Sequence, residues 1–225
     1  MILSDAKYDG KTEIRNIIFD WGGVITDLDF EASKKRFHDL GLTIFDERVP
    51  HDPLDKIFIP LEIGRITPDD FRNEIRKLSP QILSDSMIDG AWNAMLGTLP
   101  RERWELLEST RYVYRTFLLS NTNAIHLHYY FNYLHGIYGT YGYVHLFEKA
   151  YFSFELHLRK PNREIFEYVM KDKCLIPEET LLIDDSEENI ETAMNLGLQV
   201  IHLKKPLTLV DLFKKIPVKP GKAGK

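Results

Sequence analysis

Polar side chains that can do chemistry stand at the ends of three apolar segments, each typical of a buried strand. The segments are residues 14–19, 112–119 and 180–183. The polar residues that follow them are Asp20, Ser120 with Asn121, and Asp184 with Asp185. In an open parallel sheet, ligands bind at the carboxyl ends of the strands. We therefore expect these residues, which are distant in sequence, to converge on one site.

Lys160 precedes Pro161 at a predicted helix start and adds a fixed cation to this set. A carboxylate nucleophile, a hydroxyl group, a cation and a carboxylate pair are the groups that phosphoryl transfer requires. Three carboxylates repel one another unless a divalent cation lies among them, and oxygen ligands select a hard ion such as Mg²⁺. The sequence therefore predicts phosphoryl chemistry with magnesium as the cofactor.

The elements that must position these residues alternate between helix and strand from residue 100 onward. Helices are predicted over residues 101–111, 124–135, 162–171 and 187–196, and strands over 112–119, 150–153, 180–183 and 198–203. This alternation implies right-handed crossovers and a parallel sheet that is covered on both faces. With residues 14–19 as the first strand, the predicted fold class is α/β, a doubly wound parallel sheet of about five strands.

Residues 29–98 differ, because they carry helical periodicity and almost no strand signal. Four helices are expected there, the third with Thr67 as its N-cap and Pro68 as its first residue. The predicted organisation is a core of residues 12–28 and 99–216, an inserted helical bundle of residues 29–98, and a flexible tail of residues 217–225. The lysine-rich stretch of residues 204–225 is interpreted as a frayed end.

The composition limits which partners the protein can have. The chain has 225 residues, 44% hydrophobic and 28% charged, with a formal net charge of −5. A mild acidic excess without a clustered basic face argues against nucleic acid as a partner. We find no signal peptide and no run of about 18 apolar residues, so we expect no membrane partner. Cys174 is the single cysteine, which excludes an intramolecular disulfide, and we expect a cytoplasmic protein.

Four segments resemble, in order, the four motifs of the haloacid dehalogenase superfamily. They are IFDWGGV at residues 18–24, LLSNTN at 118–123, RKPNREIF at 159–166 and LIDDSEEN at 182–189. Each lies in the local context expected for its motif, and the predicted helical insertion lies where that family places its cap. The resemblance spans residues 14–205 and implies a Rossmann-like core with an inserted α-helical cap.

The resemblance also implies a role for each site residue. Asp20 would attack phosphorus and form an aspartyl phosphate, and Lys160 would neutralise charge on the phosphoryl group and on Asp20. The resemblance further implies which groups would hold the metal and the phosphoryl oxygens. The implied Mg²⁺ ligands are Asp20, the Gly22 carbonyl, Asp185 and Asp184, and the implied phosphate-binding groups are Ser120 and Asn121. The cap would close over the substrate and choose the leaving group.

The chain departs from the family pattern at Gly22, where most phosphatases of the family have a second aspartate that protonates the leaving oxygen. Loss of general acid–base help typically costs about 10² to 10⁴ in rate. Asp27 and Asp29 are interpreted as hinge or helix N-cap residues, although either could supply an acid if the hinge folds inward. The sugar-1-phosphate (α-glucose-1-phosphate) phosphatases of the family also have glycine here, and the chain resembles that group over most of its length. The resemblance implies hydrolysis of a small phosphorylated metabolite, with a sugar phosphate preferred.

Two other functions stay open. The first is different chemistry: dehalogenases of the family also lack the second aspartate, and phosphonatases need a cap lysine, for which Lys34, Lys35 and Lys56 are present. The second is a phospho-ligand-binding protein that has kept the site and lost turnover. The aromatic-rich residues 129–154 are expected to pack on the sheet or to form a dimer interface, so we expect a monomer or a homodimer.

Three further residues have ordinary structural interpretations. Trp92 is interpreted as part of the core of the helical insertion and not as a platform on which a sugar stacks. His126 and His128 are two residues apart, which places them on different faces of a helix, so we do not expect them to form a metal site.

Overall fold

In a computed structural model that describes residues 13–43, 55–139 and 145–215, five parallel strands form one sheet. The strands are β1 (Asn16–Phe19), β2 (Arg115–Ser120), β3 (Lys149–Phe152), β4 (Thr180–Asp184) and β5 (Gln199–His202). Their order is β3-β2-β1-β4-β5, with β1 at the centre and every neighbouring pair parallel. The predicted doubly wound parallel sheet is confirmed.

Helices surround this sheet and fill the segment between β1 and β2. In that segment they are α1 (Phe30–Asp39), α2 (Asp55–Glu62), α3 (Pro68–Leu78), α4 (Asp85–Asn93) and α5 (Arg101–Thr110). The later helices are α6 (Ala124–Tyr138), α7 (Ser153–Leu156), α8 (Arg163–Lys173), α9 (Glu187–Asn195) and α10 (Leu209–Lys215). None of the helices in the described ranges is long and apolar enough to cross a membrane.

The strands are apolar throughout because both faces of the sheet are covered. In β1, Ile17 and Phe19 pack into one hydrophobic cluster, whereas Ile18 packs into another. In β2, Leu118 belongs to the first cluster and Phe117 to the second. Side chains that alternate along a strand therefore enter different cores, as expected for a sheet with helices on both faces.

The structure corrects the interpretation of residues 204–225 as a frayed end, because α10 lies within that stretch. Leu209 and Leu212 are fully buried and join the cluster that contains Phe19. The Thr208 hydroxyl accepts from the Asp211 N–H at 3.2 Å, and the Asp211 carboxylate accepts from the Thr208 N–H at 3.2 Å, which is a capping box. The sequence signal for this helix was the pair of apolar residues Leu209 and Leu212, which lie three positions apart. Residues 216–225, including the predicted tail, lie outside the described residues.

The helices α1 to α4 form a bundle with its own hydrophobic core. Its buried members come from all four helices and include Phe37, Leu61, Phe71 and Ile88. Ile125 of α6 packs into the same cluster and joins the bundle to the core. The start of α3 is as predicted, with Thr67 as N-cap and a capping box to Asp70. Four helices are thus found in the described part of residues 29–98, and the exact domain limits stay a prediction.

Two chain segments connect this bundle to the sheet, and they lie side by side. The Asp29 N–H donates to the Met95 carbonyl at 2.9 Å, and the Gly97 N–H donates to the Asp27 carbonyl at 2.9 Å. Leu28 and Leu96 form an antiparallel bridge between these bonds. We refer to residues 27–29 and 95–97 together as the hinge pair.

A loop at the end of α2 docks onto the core away from the hinge pair. Glu62 Oε1 lies 2.6 Å from Arg159 Nε, and the Glu62 carbonyl accepts from the Ser153 hydroxyl at 2.7 Å. Gly64 has a φ of +65°, and a Cβ atom there would lie 2.1 Å from the Phe154 carbonyl oxygen. Close backbone contact between the inserted helices and the core therefore requires glycine at this position.

We expect Gly64→Ala to lower the free energy of unfolding by about 2–4 kcal/mol, because it adds a backbone clash to the cost of a positive φ. Gly197→Ala is the matched control, since Gly197 has a φ of +88° but its Cβ would meet only Pro177 Cβ at 3.5 Å. That control should lose about 1 kcal/mol. Urea unfolding of both variants measures the difference, and equal losses would contradict the close docking.

Candidate active site

Three aspartates meet at the carboxyl ends of two neighbouring strands. Asp20 follows β1, Asp184 is the last residue of β4, and Asp185 comes next. The strand ladder brings them together, because the Asp20 N–H donates to the Ile183 carbonyl at 3.0 Å. One oxygen from each carboxylate lies within 4.8 Å of the others. The acidic residues that sequence reasoning selected therefore do converge.

The Lys160 ammonium is buried between two of these carboxylates. Its Nζ lies 2.7 Å from Asp20 Oδ1 and 2.6 Å from Asp184 Oδ2, and only 1% of the side chain is exposed. Three acidic groups thus face one basic group, and of the three carboxylates Asp20 and Asp184 are buried while Asp185 is exposed. A bound cation would add positive charge, and together with Lys160 it would balance the three carboxylates better than Lys160 does alone.

The pKa values of this cluster reflect burial first and the neighbouring charges second. Burial raises the pKa of Asp20 to about 7; attraction to Lys160 opposes this effect, and repulsion from Asp184 and Asp185 adds to it. The pKa of Asp185 is raised by burial and by the Asp184 charge. Burial alone would lower the pKa of Lys160, but attraction to Asp184 and Asp20 outweighs it and raises the pKa, so the ammonium stays charged.

Hydrogen bonds from adjacent motifs hold Lys160 and Asp184 in place. The side-chain amide of Asn121 donates to the Lys160 carbonyl at 2.8 Å and accepts from the Lys160 N–H at 2.9 Å. Asp184 Oδ1 accepts from the Asn189 side chain and from the Ser186 N–H, each at 2.9 Å. Since Lys160 contacts the other oxygen of Asp184, both oxygens of this carboxylate have partners within the protein.

The glycine pair after Asp20 lets the loop approach the acidic cluster. Gly23 has a φ of +80°, and a Cβ atom there would lie 2.0 Å from Asp185 Oδ2, so only glycine fits. A Cβ at Gly22 would lie 2.7 Å from Leu28 Cδ1, the mobile end of a side chain. Gly23 therefore allows the backbone to reach Asp185, and Gly22 borders the hinge pair.

A cavity of about 220 Å³ lies between the inserted helices and the carboxyl end of the sheet. Gly22, Ser120 and Asn121 line it from the core, and Phe58 and Trp92 line it from the bundle. A larger groove of about 690 Å³ lies between α3, α4 and α6, but it contains none of the predicted site residues. We take the smaller cavity as the candidate active site because three residues of the predicted site, Gly22, Ser120 and Asn121, line it.

The aspartates and lysines considered as alternative catalysts are engaged elsewhere. Asp27 accepts from Arg103 at 3.1 Å, and Asp29 caps α1 by accepting from the Ala32 N–H at 3.0 Å. Both are therefore hinge or N-cap residues, as interpreted from the sequence. The three candidate cap lysines are absent from the described wall of the smaller cavity. They are Lys34, which pairs with Glu31, Lys35, which pairs with Asp39, and exposed Lys56.

Sequence reasoning missed three residues that line this cavity. Glu62 was not singled out, and Trp92 and His126 were given only structural interpretations. His126 is buried and His128 is exposed, which confirms that they lie on different faces of α6. The sequence contained one signal for His126. It lies three residues after Asn123, which is the last residue of the second predicted motif and caps α6 with its side chain.

Comparison with known proteins identifies the family to which the chain belongs. The family model described as haloacid dehalogenase-like hydrolase matches residues 138–203. A D-ribitol-5-phosphate phosphatase of Bacteroides thetaiotaomicron is 32% identical over 186 residues, which cover 83% of this chain and 90% of that protein. The chain belongs to the haloacid dehalogenase-like hydrolases. This agrees with the resemblance carried by the four motifs.

Solved structures of other haloacid dehalogenase-like enzymes share the whole fold. One from Bacteroides thetaiotaomicron, crystallised with magnesium and inorganic phosphate, is 38% identical, covers 89% of this chain and 99% of that chain, and has a TM-score of 0.82. A predicted haloacid dehalogenase-like hydrolase from Porphyromonas gingivalis is 33% identical, covers 90% of this chain and 97% of that chain, and has a TM-score of 0.81. The α/β core with its helical insertion is thus shared over nearly the whole length of these relatives.

We expect Lys160→Met, without added divalent cations, to lower the free energy of unfolding by about 3–5 kcal/mol, because it leaves buried carboxylates without an opposite charge. Lys35→Met is the matched control, since it breaks an equally short pair with Asp39 in which Lys35 is 74% exposed. Its loss should be about 0–1 kcal/mol. Urea unfolding compares the two, and similar losses would contradict the structural role of the buried ammonium.

Proposed function

We propose that this haloacid dehalogenase-like hydrolase is a magnesium-dependent phosphatase that cleaves a small sugar or sugar-alcohol phosphate through an aspartyl phosphate on Asp20. The observation that carries the proposal is the cluster in which buried Lys160 contacts Asp20 at 2.7 Å beside Asp184 and Asp185. This cluster combines a carboxylate nucleophile with the charges that phosphoryl transfer needs.

The acidic cluster fits a magnesium ion. Its donors are all carboxylate oxygens, which suit a hard divalent cation, and three acidic groups outnumber the single lysine. We assign Asp20, Asp185 and the Gly22 carbonyl as ligands. Asp184 either is a further ligand or positions the ligand residues. The positioning role is favoured because both oxygens of Asp184 already have partners within the protein. Bound Mg²⁺ would stabilise negative charge on the phosphoryl oxygens.

The reaction then proceeds in two displacements at phosphorus. A carboxylate oxygen of Asp20 forms a bond to phosphorus while the bond from phosphorus to the ester oxygen breaks, and this oxygen takes a proton from solvent to leave as the alcohol. Water then attacks phosphorus and gives up a proton to solvent, the bond to Asp20 breaks, and inorganic phosphate leaves with the Asp20 carboxylate restored. Lys160 stays protonated and offsets charge on Asp20 and on the phosphoryl group throughout.

Two further residues would bind the phosphoryl oxygens. The Ser120 hydroxyl lies at the end of β2 on the cavity wall. The side chain of Asn121 is committed to the Lys160 backbone. We therefore assign phosphoryl binding at Asn121 to its backbone N–H, and we assign its side chain to positioning Lys160.

The size of the cavity and the nature of the relatives favour a small polyol ester as the substrate. About 220 Å³ suits a leaving group of five or six carbons better than a macromolecule. A relative that is 32% identical is a D-ribitol-5-phosphate phosphatase. The substrate class is therefore a phosphorylated sugar or sugar alcohol, and sugar 1-phosphates and polyol 5-phosphates are the first compounds to compare.

The alternatives derived from the sequence have less support. A phosphonatase needs a cap lysine at the cavity, and no cap lysine lies on its described wall. A dehalogenase of this family works without a metal, which does not explain a third carboxylate at the cluster. A pure phospho-ligand binder has no need of a nucleophile such as Asp20.

We expect the protein to release phosphate from D-ribitol 5-phosphate or a sugar phosphate with Mg²⁺, and EDTA or Asp20→Asn to lower the rate at least about 10³-fold, because both remove the charge arrangement for transfer. Colorimetric detection of phosphate measures this. Wild-type turnover in Asp20→Asn would rule out the covalent mechanism. If no compound is cleaved but Mg²⁺ with a phosphate mimic raises the melting temperature, the binding protein becomes the better description.

The glycine at position 22 leaves the leaving oxygen without the usual acid, and the one carboxylate on the described cavity wall, Glu62, is paired with Arg159. We expect Gly22→Asp, combined with Leu28→Ala to make room, to raise the hydrolysis of alkyl phosphates at least about tenfold. It should change p-nitrophenyl phosphate hydrolysis less, because nitrophenolate needs no acid. Leu28→Ala alone is the control. An unchanged alkyl phosphate rate would mean that the site already contains a substitute acid.

A further inference from the structure

Two aromatic side chains from different parts of the fold meet on the wall of the active-site cavity. Trp92 comes from α4 of the inserted bundle, and His126 comes from α6 of the core. Their rings are stacked with centroids 4.7 Å apart and planes inclined by 26°. Both residues line the cavity of about 220 Å³ that also contains Ser120 and Asn121.

Each of these rings has a buried nitrogen without a hydrogen-bond partner in the described part of the protein. The two atoms are Trp92 Nε1 and His126 Nε2. His126 as a whole is 7% exposed. A buried polar atom without a partner destabilises the protein, because it has lost its hydrogen bonds to water. Two such atoms on residues that line one cavity point to a ligand that satisfies them when it binds.

The two rings offer different hydrogen-bonding groups. Burial lowers the pKa of His126 to about 3, so its ring is neutral at pH 7. One nitrogen of a neutral imidazole carries a hydrogen and the other accepts, so Nε2 can pair with a hydroxyl group in either tautomer. The indole Nε1–H of Trp92 can only donate.

The faces of the Trp92 ring are not available to a ligand. Phe58 stacks on it with centroids 4.7 Å apart and planes inclined by 16°, and His126 stacks on it as well. Trp92 therefore cannot serve as a platform on which a sugar ring lies, as the sequence interpretation also held. It can contact a ligand only through its edge, where the N–H lies.

We propose that Trp92 and His126 bind hydroxyl groups of the leaving alcohol, with Trp92 Nε1 as donor and His126 Nε2 as the second hydrogen-bonding atom. A hydroxyl group both donates and accepts, so one hydroxyl or two neighbouring hydroxyls satisfy both atoms. The pair selects polyhydroxylated phosphate esters over esters of apolar alcohols, because an apolar leaving group would leave both nitrogens unpaired. This inference rests on the proposed phosphatase function and defines its substrate class more narrowly.

The test compares two substrates in one variant. Trp92→Phe keeps the stacked ring and removes the N–H. We expect it to lower kcat/KM for D-ribitol 5-phosphate about tenfold. It should change the value for p-nitrophenyl phosphate, which has no hydroxyl groups on its leaving group, by less than about twofold. His126→Phe removes Nε2 and should show the same preference.

Trp104→Phe is the matched control, because Trp104 stacks on Tyr138 and does not line the cavity. It should leave both values unchanged. Equal losses of kcat/KM on both substrates in Trp92→Phe and His126→Phe would mean that the two residues have a structural role, and this would overturn the inference. An unchanged kcat/KM on both substrates would also overturn it. If the wild-type protein cleaves p-nitrophenyl phosphate but no polyol phosphate, the phosphatase stands and this inference fails. If it cleaves neither, the proposed function fails first.

Discussion

An ammonium group that is removed from water costs several kcal/mol unless carboxylates surround it, and Lys160 meets this condition through Asp20 and Asp184. The requirement works in both directions, because the same two carboxylates would be unstable together without Lys160. The strand order that places β4 beside β1 brings Asp184 next to Asp20, and the Asn121 side chain fixes the backbone of Lys160 from β2. The charge balance of this cluster therefore links three separate segments of the chain, and the remaining acidic excess creates a place for a divalent cation.

Most of this arrangement could be predicted from the sequence, because it depends on local patterns. Apolar strands that end in Asp20, Ser120 and Asp184 identify the edge of the sheet at which ligands bind, and the parallel topology follows from the alternation of helix and strand. The start of β2 was placed three residues too early, since residues 112–114 continue the turn after α5 through bonds such as Tyr114 N–H to the Thr110 carbonyl. The helix α10 was not predicted, because the lysine-rich composition of residues 204–225 outweighed the signal of Leu209 and Leu212, which are buried.

The contacts between the inserted bundle and the core could not be predicted in the same way. Glu62 and Arg159 are 97 positions apart and belong to segments whose relative position depends on how four helices pack. Trp92 and His126 each have an ordinary structural interpretation from the sequence, and only their stacking brings them together on the wall of one cavity. Residues whose patterns predict only packing can therefore line a candidate active site.

The hinge pair has a consequence for access to the site. Two adjacent segments joined by backbone hydrogen bonds would act as a single axis if the bundle opened, and displacement would then grow with distance from that axis. Trp92 lies three residues before Met95 of the hinge pair, a chain distance of at most about 11 Å. Glu62 docks elsewhere, on the segment around Arg159. Rotation would therefore separate Glu62 from Arg159 and open an entrance beside Lys160, while Trp92 stays close to His126. The selecting wall of the cavity would then be nearly complete before the substrate arrives.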